Sequence, residues 1–370
     1  MSSAQFSDSS LSSLWSCPQV ADIHDAALAE RVQHKLDFKT KPQGSLGVLE
    51  QQALRIASIV GNESPQLLAP QMVVFAADHG LAAQGVSAYP VDVTWQMVEN
   101  FLSGGAAVSV LSRQNGVALN VVDCGVARDF EVREQDPEHK LPKADEPRLW
   151  RRKVAYGTAD CSQGPAMTEL QCAMALRNGA ELVKKLPGNA LLLGEMGIAN
   201  TSSASLLLAR LCGESIETVT GVGTGLSSEG LLRKIAVLKQ VLDFHADVNE
   251  PLAVLAAMGG LEIATMTGAV LQAAAERRVI VVDGFITTAA VLVASLLQPH
   301  VLQRCVYAHR SGEPGHTRML AHLQAQPMLD WQLRLGEGSG AALAWPLLMS
   351  ACTMLNEMAS FESAGVSTKS

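Results

Sequence analysis

Two glutamates lie in glycine-containing segments that bring a carboxylate close to backbone or ligand. Glu337 stands in GEGSG (336–340) before an apolar, helix-like run, and Glu195 closes an apolar segment in GEMGIANTSS. Glycine permits positive φ and close approach of the chain, so such segments are typical of binding turns. Two acids in one crevice suit proton transfer and stabilisation of a developing cation. The alternatives left open are a solvated loop acid at Glu337 and a helix-dipole partner at Glu195.

A second glycine segment, GVGTG at 221–225, precedes a helical pattern that carries Lys234. Backbone N–H groups at a glycine turn and a nearby lysine ammonium together bind anions, so a phosphate site is one interpretation. The string matches neither the P-loop nor the dinucleotide fingerprint, so it indicates no ATPase or dinucleotide fold. A plain helix-capping turn is the other interpretation, and the motif alone favours it.

The histidines and cysteines do not form a metal-binding pattern. His309 and His316 have helical spacing, but the intervening Gly312, Pro314 and Gly315 interrupt a helix, and His79 has no spaced partner. The seven cysteines are scattered and never form C-x-x-C, so neither a disulfide framework nor a zinc site is indicated. We therefore expect no metal and no disulfide, with the histidines in structural or substrate-contacting roles.

The elements that position these residues follow an α/β pattern. From residue 72 onward, short β-rich runs alternate with long helical patterns, which predicts a Rossmann-like, mostly parallel sheet flanked by helices. The candidate strands are 72–77, 117–123, 190–195, 279–284 and 304–309. The carboxyl ends of parallel strands meet in one crevice. The polar or glycine-containing turns expected there are 78–80, 123–125, 194–197, 283–284 and 311–312.

The pattern divides the chain into a large α/β domain, 66–326, and a smaller helical domain. The helical domain is predicted from 1–65 together with 327–370, and it contributes the loop that carries Glu337. Ser339 is the expected N-cap of the last long helix. We read 128–153, which is charged and non-periodic, as a surface loop or flap. The KPQGS segment at 41–45 is either a binding loop or a helix connector.

Charge and hydropathy limit the partners. The formal net charge is −8 and the isoelectric point is near 5.6, which argues against nucleic acid because phosphate backbones bind clustered Lys and Arg. No uninterrupted apolar run reaches about 18 residues, so we expect no membrane span. The N-terminal segment lacks the regions of a signal peptide, and unpaired cysteines suit a reducing compartment. We therefore expect a cytoplasmic protein that acts on small molecules.

The ordered motifs resemble those of one enzyme family. They are KPQGSLGVLE, DHGLAAQGVSAYPVDVTWQM, GEMGIANTSSASLL, GVGTGL, MGGLEIATMTGA, VVDGFITTAA, AHRSGEPGH and LGEGSGAALA. Together they resemble the nicotinate-nucleotide:dimethylbenzimidazole phosphoribosyltransferase family over nearly the whole chain. Two departures are Ala199, where the family pattern has Gly, and Asp160, where Asn is commoner.

The resemblance implies a reaction without a cofactor. In this family the phosphoribosyl group of nicotinate mononucleotide passes to 5,6-dimethylbenzimidazole with inversion at C1′, giving α-ribazole 5′-phosphate for the lower ligand of cobalamin. Glu337 is then the base that takes the benzimidazole proton, and Glu195 the second acid. The family also implies a homodimer. The competing hypotheses are a phosphoribosyltransferase that uses phosphoribosyl pyrophosphate, and a non-catalytic binder of nucleotides or benzimidazoles.

The resemblance also assigns binding residues. Ser87, Gln96 and Leu335 resemble the benzimidazole pocket. Nucleotide and phosphate contacts are implied for Gly197, Lys234, Asp283, Ser311 and Gly312, and close backbone approach is implied for Gly104 and Gly105. From the residues alone, Asp283 in VVDGFITT also resembles the strand–acid–threonine loop of the pyrophosphate-using enzymes, with one acid where they have two. It could instead bind a ribose hydroxyl or cap a turn.

Overall fold

A six-stranded parallel sheet forms the centre of the protein, as seen in a computed structural model that describes residues 14–131, 146–223 and 225–367. The strand order in this part of the chain is β3-β2-β1-β4-β5-β6. The strands are β1 (Gln71–Ala77), β2 (Ala118–Gly125), β3 (Arg148–Arg151), β4 (Ala190–Met196), β5 (Val279–Val282) and β6 (Cys305–Tyr307). This is the doubly wound order of Rossmann-like folds, so the predicted fold class is confirmed.

Helices connect the strands and cover both faces of the sheet. The first half of the chain contributes α1 (Ala26–Asp37), α2 (Val48–Val60), α3 (Val93–Leu102), α4 (Ala107–Gln114), α5 (Glu169–Lys185) and α6 (Asn200–Cys212). The second half contributes α7 (Ile216–Val219), α8 (Ser228–Phe244), α9 (Pro251–Met258), α10 (Leu261–Ala275), α11 (Phe285–Leu297), α12 (Pro314–His322), α13 (Ser339–Glu357) and α14 (Phe361–Ala364). Within the described ranges, no helix is both long and apolar enough to cross a membrane.

The sheet is buried on both faces because its strands are apolar throughout. In β1, Val73 and Phe75 join the core on one side, whereas Met72 and Val74 join the core on the other. Successive side chains of a strand point to opposite faces, so a strand covered on both sides shows a continuous apolar run. This explains why the five predicted strands could be recognised without an alternating pattern.

The strand β3 corrects one prediction. Residues 148–151 lie inside the segment 128–153 that we read as a surface loop, yet they pair in parallel with β2. Trp150 is buried, and its indole N–H donates to Asn120 Oδ1 at 2.9 Å. β3 is a short edge strand, and charged residues flank its tryptophan. Because of these charged residues, the sequence pattern indicated a surface loop. Residues 132–145 lie outside the described residues, so a flap there stays a prediction.

A smaller helical core lies beside the sheet. It contains Leu28, Val32 and Leu36 of α1, Ala53 and Ala57 of α2, and Ala351 and Leu355 of α13. The first half of α13 packs differently, since Ala341, Trp345 and Leu348 belong to a core of the sheet. Helix α13 therefore joins the sheet to the terminal helices. The boundaries 66–326 and 1–65 with 327–370 stay predictions.

Candidate active site

A buried crevice lies at the carboxyl ends of β4, β5 and β6. About 80 Å³ of it is open to water-sized molecules, and a recess of about 30 Å³ continues it beside α6. The predicted site residues that line the crevice are Glu195, Gly197, Ser311, Leu335 and Glu337. Those that line the recess are Ser87, Gly197 and Lys234. The strand ends thus bring together residues that are up to 250 positions apart in sequence, from Ser87 to Glu337.

Two larger depressions lie elsewhere, among the N-terminal and C-terminal helices. One, of about 720 Å³, is bordered by α1, α2 and the segment around Gln303, and the other, of about 980 Å³, by α1 and the end of α13. Both lie away from the strand ends where ligands of this sheet topology collect. Glu195 and Glu337 are buried in the smaller crevice, and no ion pair joins either of them to another side chain among the described residues, so we place the site there rather than in the larger spaces.

Glu337 is held in an unusual backbone conformation. The φ angles of Gly336, Glu337 and Gly338 are +79°, +64° and +89°, a left-handed run that a non-glycine residue rarely joins. The loop also packs against β4, where a Cβ on Gly194 would lie 2.5 Å from the Glu337 carbonyl oxygen. The Glu337 side chain is 6% exposed, and its Oε2 has no hydrogen-bond partner among the described residues. Backbone strain and an unpaired buried oxygen together are typical of a functional site.

Glu195 lies directly against this loop. Its Oε2 accepts a hydrogen bond from Asn200 Nδ2, and its Oε1 accepts one from the Glu337 backbone N–H at 3.4 Å. Asn200 is the first residue of α6, so the turn after β4 supplies both the acid and the amide that orients it. The two glutamates predicted as the catalytic pair are therefore adjacent.

Asp283 holds the same loop through hydrogen bonds from backbone N–H groups. Its Oδ1 accepts a hydrogen bond from the Ala341 N–H at 2.8 Å, and its Oδ2 accepts one from the Gly338 N–H at 3.2 Å. These contacts match the capping alternative, since they satisfy amides at the start of α13. Asp283 is 1% exposed and is not among the residues that line the crevice. A direct nucleotide contact from Asp283 stays a prediction.

The expectation that Ser339 caps α13 is wrong. Gly338 occupies the N-cap position, and Ser339 is the first helical residue. The Ser339 hydroxyl instead donates to the Gly336 carbonyl at 2.7 Å, which closes the loop around Glu337. Asp283, which follows β5, accepts hydrogen bonds from the amides at the start of α13 in place of Ser339. Sequence spacing does not reveal this contact.

The three carboxyl groups share an environment that disfavours negative charge. Burial, followed by the charges of Glu195 and Asp283, raises the pKa of Glu337 to about 7. Burial likewise raises the pKa of Glu195 to about 7, against the opposing Asn200 hydrogen bond. The pKa of Asp283 also rises to about 7 through burial, although backbone N–H groups oppose the shift. A carboxyl group with such a pKa is suited to accept a proton near neutral pH.

Lys234 supplies the positive charge at the other end of the site. It projects from α8 and is 1% exposed, and its Nζ donates to Thr201 Oγ1 at 2.9 Å and to the Gly221 carbonyl at 3.4 Å. Burial lowers the pKa of Lys234 to about 8, against the opposing charge of Glu313. The glycine segment does not cap α8. Ser227 caps this helix, because its side-chain oxygen accepts a hydrogen bond from the Gly230 N–H at 3.1 Å.

Two histidines, His309 and His316, lie beside the site. His316 Nδ1 accepts a hydrogen bond from the Ser311 N–H at 2.9 Å, and burial lowers the pKa of His316 to about 3, so this ring is neutral. His309 lines the crevice, with its Nε2 3.7 Å from Asp283 Oδ1. In the described part of the chain, no three His, Cys, Asp or Glu side chains are grouped so as to hold a metal ion.

Four further predicted binding residues are not among those that line the crevice or the recess. Gln96 is exposed on α3, and Gly104 and Gly105 follow the end of that helix. Gly312 lies beside Arg334 at the outer edge. Their binding roles stay predictions.

Some lining residues were missed by sequence reasoning. Asn200, Arg334 and Glu313 all line the crevice. Glu313 had a signal, because it follows Ser311 and Gly312 at a predicted strand end, but a glutamate before a proline is also a common helix start.

Comparison with known proteins agrees with the motifs. A family model described as "Phosphoribosyltransferase" matches residues 22–366. A nicotinate-nucleotide:dimethylbenzimidazole phosphoribosyltransferase of Variovorax paradoxus (strain S110) is 65% identical over 352 residues, covering 95% of this chain and 97% of that protein. The enzyme of the same name from Dechloromonas aromatica (strain RCB) is 52% identical, with 94% and 98% covered.

A solved structure agrees in fold as well. The crystal structure of the enzyme of that name from Thermus thermophilus superposes with a TM-score of 0.85 at 40% identity, covering 94% of this chain and 100% of that one. The predicted resemblance is thus confirmed, and with it the expectation of a transferase. The chain belongs to the nicotinate-nucleotide:dimethylbenzimidazole phosphoribosyltransferase family, a family of pentosyltransferases.

Proposed function

We propose that this protein transfers the phosphoribosyl group of nicotinate mononucleotide to 5,6-dimethylbenzimidazole, giving α-ribazole 5′-phosphate and nicotinate for cobalamin synthesis. The single observation that carries the proposal is the Glu337 carboxylate, which is buried at the carboxyl end of the sheet with Oε2 unpaired among the described residues. A buried carboxylate oxygen in that state can accept a hydrogen bond from a ligand, and the N–H of a benzimidazole is such a donor.

The chemistry follows from the charges on the substrates. The C1′–N bond of the nucleotide breaks with its electron pair moving to the pyridinium nitrogen, which releases nicotinate. One benzimidazole nitrogen attacks C1′ from the opposite face, so the β-nucleotide becomes the α-anomer. The proton on the other ring nitrogen becomes acidic and passes to Glu337. Glu195, adjacent to Glu337, stabilises the positive charge that develops on the ribosyl group.

The binding residues divide between the two ends of the site. Lys234 and the glycine turn at 221–223 suit the phosphate, because a buried ammonium and the backbone N–H groups of a turn both favour an anion. Leu335, exposed at the outer wall, offers an apolar surface to the planar base.

Two finer expectations rest on the family resemblance. We propose a homodimer, which light scattering of the purified protein would test by its molar mass. We also propose that the protein acts in the cytoplasm, which fractionation of cells would test. Neither expectation is needed for the chemistry assigned to Glu337 and Glu195.

The experiment that tests the function is incubation with nicotinate mononucleotide and dimethylbenzimidazole, followed by NMR of the product. Release of nicotinate and an α-configured C1′ are expected, and a β-configured product would contradict the mechanism. A parallel arm supplies phosphoribosyl pyrophosphate with Mg²⁺, with and without EDTA. EDTA-sensitive turnover in that arm alone would favour the pyrophosphate-using alternative, and binding without turnover in either arm would favour the non-catalytic alternative.

A further inference from the structure

The turn between β4 and α6, residues 197–199, contains a strained residue. Ala199 has a φ of +80°, in the left-handed region that a non-glycine residue rarely adopts. Asn200, which follows it, is the first residue of α6 and donates a hydrogen bond to Glu195. A strained backbone persists only where its surroundings fix it, so the contacts of this turn decide how Asn200 meets Glu195.

A threonine of another helix holds this turn. Thr94 is the second residue of α3, and it is fully buried. Its Oγ1 accepts a hydrogen bond from the Ile198 N–H at 3.1 Å. Asp78 faces the same hydroxyl, because the Thr94 side chain opposes the rise that burial gives the pKa of Asp78. That carboxylate is an acceptor for the hydroxyl proton, which leaves the Thr94 oxygen to accept from the turn.

Thr94 reaches the site through the turn and not directly. Ile198 lines both the crevice and the recess, whereas Thr94 is not among the residues that line either space. Gly197 packs so closely against the end of β1 that an added Cβ would lie 2.5 Å from the Ala77 carbonyl oxygen. The turn is therefore fixed to β1 by packing and to α3 by the hydrogen bond to Thr94.

Loss of that hydrogen bond would release the strained end of the turn. A buried N–H without an acceptor is unfavourable, so the backbone at Ala199 would relax toward common angles and move Asn200. We propose that Thr94 is a positioning residue for the transfer reaction, which holds the Asn200 amide against Glu195 through the Ile198 N–H. This inference rests on the proposed function, in which Glu195 stabilises the positive charge of the ribosyl group.

The protonation of Glu195 reports its contact with Asn200. Burial raises the pKa of Glu195 to about 7, and the Asn200 hydrogen bond opposes this rise. The other titratable groups that face Glu195 are Glu337, Asp283, Glu262 and His79. Removal of the Thr94 hydroxyl leaves all four in place, so a change in the pKa of Glu195 on that removal reports the Asn200 contact.

The test compares two substitutions of Thr94. Thr94→Val keeps the shape of the side chain and removes the hydroxyl, whereas Thr94→Ser keeps the hydroxyl. We expect Thr94→Val to lower kcat by about tenfold to a hundredfold, because a catalytic group is displaced. KM for nicotinate mononucleotide should change by less than about threefold, since Glu195 acts on charge that develops in the transition state. Thr94→Ser should keep kcat within about threefold of the wild type.

The pH profile adds a readout that a merely structural role would not change. The acidic limb of kcat should move up by about one pH unit in Thr94→Val, because Glu195 loses a hydrogen bond to its charged form. The matched control is Thr267→Val on α10. It removes an equally buried hydroxyl, which donates to the Ile263 carbonyl at 2.8 Å, and it should keep the wild-type kcat and pH profile.

Three outcomes would overturn the proposal. A loss of stability in Thr94→Val with unchanged kcat and pH profile would show that the hydroxyl serves only the fold. Equal loss of kcat in Thr94→Val and Thr94→Ser would mean that the hydroxyl restores nothing. If Thr94→Val does not fold, Thr94→Ala removes the same hydroxyl, and a kcat equal to that of Thr94→Ser would contradict the role of Thr94.

A measurement without substrates separates this inference from the proposed function. Carbon-13 NMR titration follows the Glu195 carboxyl group, whose signal is assigned with Glu195→Gln. The pKa of Glu195 should be higher in Thr94→Val than in the wild type by about one pH unit, and equal values would overturn the inference. If this difference is found while the wild type releases no nicotinate from nicotinate mononucleotide, the proposed function fails and the positioning of Glu195 by Thr94 stands.

Discussion

Two groups of buried acids lie within the same fold, and they differ in whether a cation accompanies them. Behind the ends of β1 and β4, Glu262 Oε1 lies 2.7 Å from His79 Nε2, and the other ring nitrogen of His79 lies 3.1 Å from Ser203 Oγ. In the crevice, Glu337 and Glu195 have each other as neighbours and no cation within 4.0 Å among the described residues.

The difference separates stabilisation from reactivity. Burial alone would lower the pKa of His79, but the charge and hydrogen bond of Glu262 outweigh burial and raise the pKa of His79 above its usual value. A raised histidine pKa contributes stability below its unfolded value, and that contribution is lost as pH rises through the folded value. Among the described residues, no cation lies within 4.0 Å of Glu195 or Glu337. The raised pKa values of these two acids suit them to accept a proton. The comparison contrasts a buried acid that has a histidine partner with two proposed catalytic acids that have no cation within 4.0 Å in the described part of the chain.

The strongest test of this comparison is the variant Glu337→Gln, which keeps the shape of the side chain and removes the base. We expect kcat to fall by about 10²- to 10⁴-fold, with little change in the affinity for either substrate. Steady-state kinetics and calorimetry measure the two quantities. Glu362→Gln, at an exposed position of α14, is the control and should match the wild type. Equal loss of turnover and affinity would contradict the assignment of Glu337 as base.

The pH dependence sharpens the same prediction. Glu337 must be deprotonated to act, so kcat of the wild type should rise with pH and level off above about 7. Its folded pKa lies above the usual value of 4.5, so the native state holds the proton longer and stability falls as pH rises between these values. Glu337→Gln should therefore gain stability relative to the wild type as pH rises through this range. A variant that kept the acidic limb of the rate profile would show that another group controls it.

The next largest effect is expected from the paired acid. Glu262→Gln leaves His79 without its partner in a fully buried position, and breaking such a pair costs about 3–5 kcal/mol. Urea unfolding monitored by circular dichroism measures the loss. Glu229→Gln, on the exposed face of α8, should change the free energy of unfolding by less than about 0.5 kcal/mol. If both variants unfold at the same urea concentration, the Glu262–His79 pair contributes no stability and the contrast with the crevice fails.

Local patterns were enough to predict the sheet and the meeting of Glu195 and Glu337 at one edge of it. Apolar runs ending in polar turns identified five strands, and the parallel arrangement brought Glu195 and Glu337 to one edge, as expected. These features depend on residues close together in sequence, where burial leaves a periodic signal. The position of the crevice followed from topology alone.

Contacts between distant segments were beyond such reasoning. Asp283 accepts a hydrogen bond from the Ala341 amide, 58 residues away, at the start of α13. Asp283 thereby takes the capping role that was expected of Ser339. Trp150 identifies β3 only when Asn120 of the neighbouring strand is seen to accept its N–H. Glu313 follows an ordinary helix-start pattern in the sequence, and only the fold shows that this residue lines the crevice. In each case the decisive partner belongs to another strand or loop.

The smallest expected effect concerns the spacing of the two crevice acids. Gly336 and Gly365 both have positive φ, at +79° and +63°, so alanine at either position costs roughly 1 kcal/mol of stability. A Cβ at Gly336 would collide with Glu195 Oε1, whereas a Cβ at Gly365 meets nothing within 4 Å. Gly336→Ala should therefore lower kcat by about tenfold to a hundredfold, because displacement of a catalytic group by about 1 Å has effects of that order.

Gly365→Ala serves as the matched control because it carries the same backbone strain without the collision. We expect Gly336→Ala to lose at least as much stability in thermal unfolding as Gly365→Ala, while only Gly336→Ala loses turnover. Equal kcat in both would mean that Glu195 tolerates displacement and that Glu337 works without it. If Gly365→Ala also lost turnover, backbone strain anywhere in the chain would account for the effect, and the close spacing of Glu195 and Glu337 would lose its significance for catalysis.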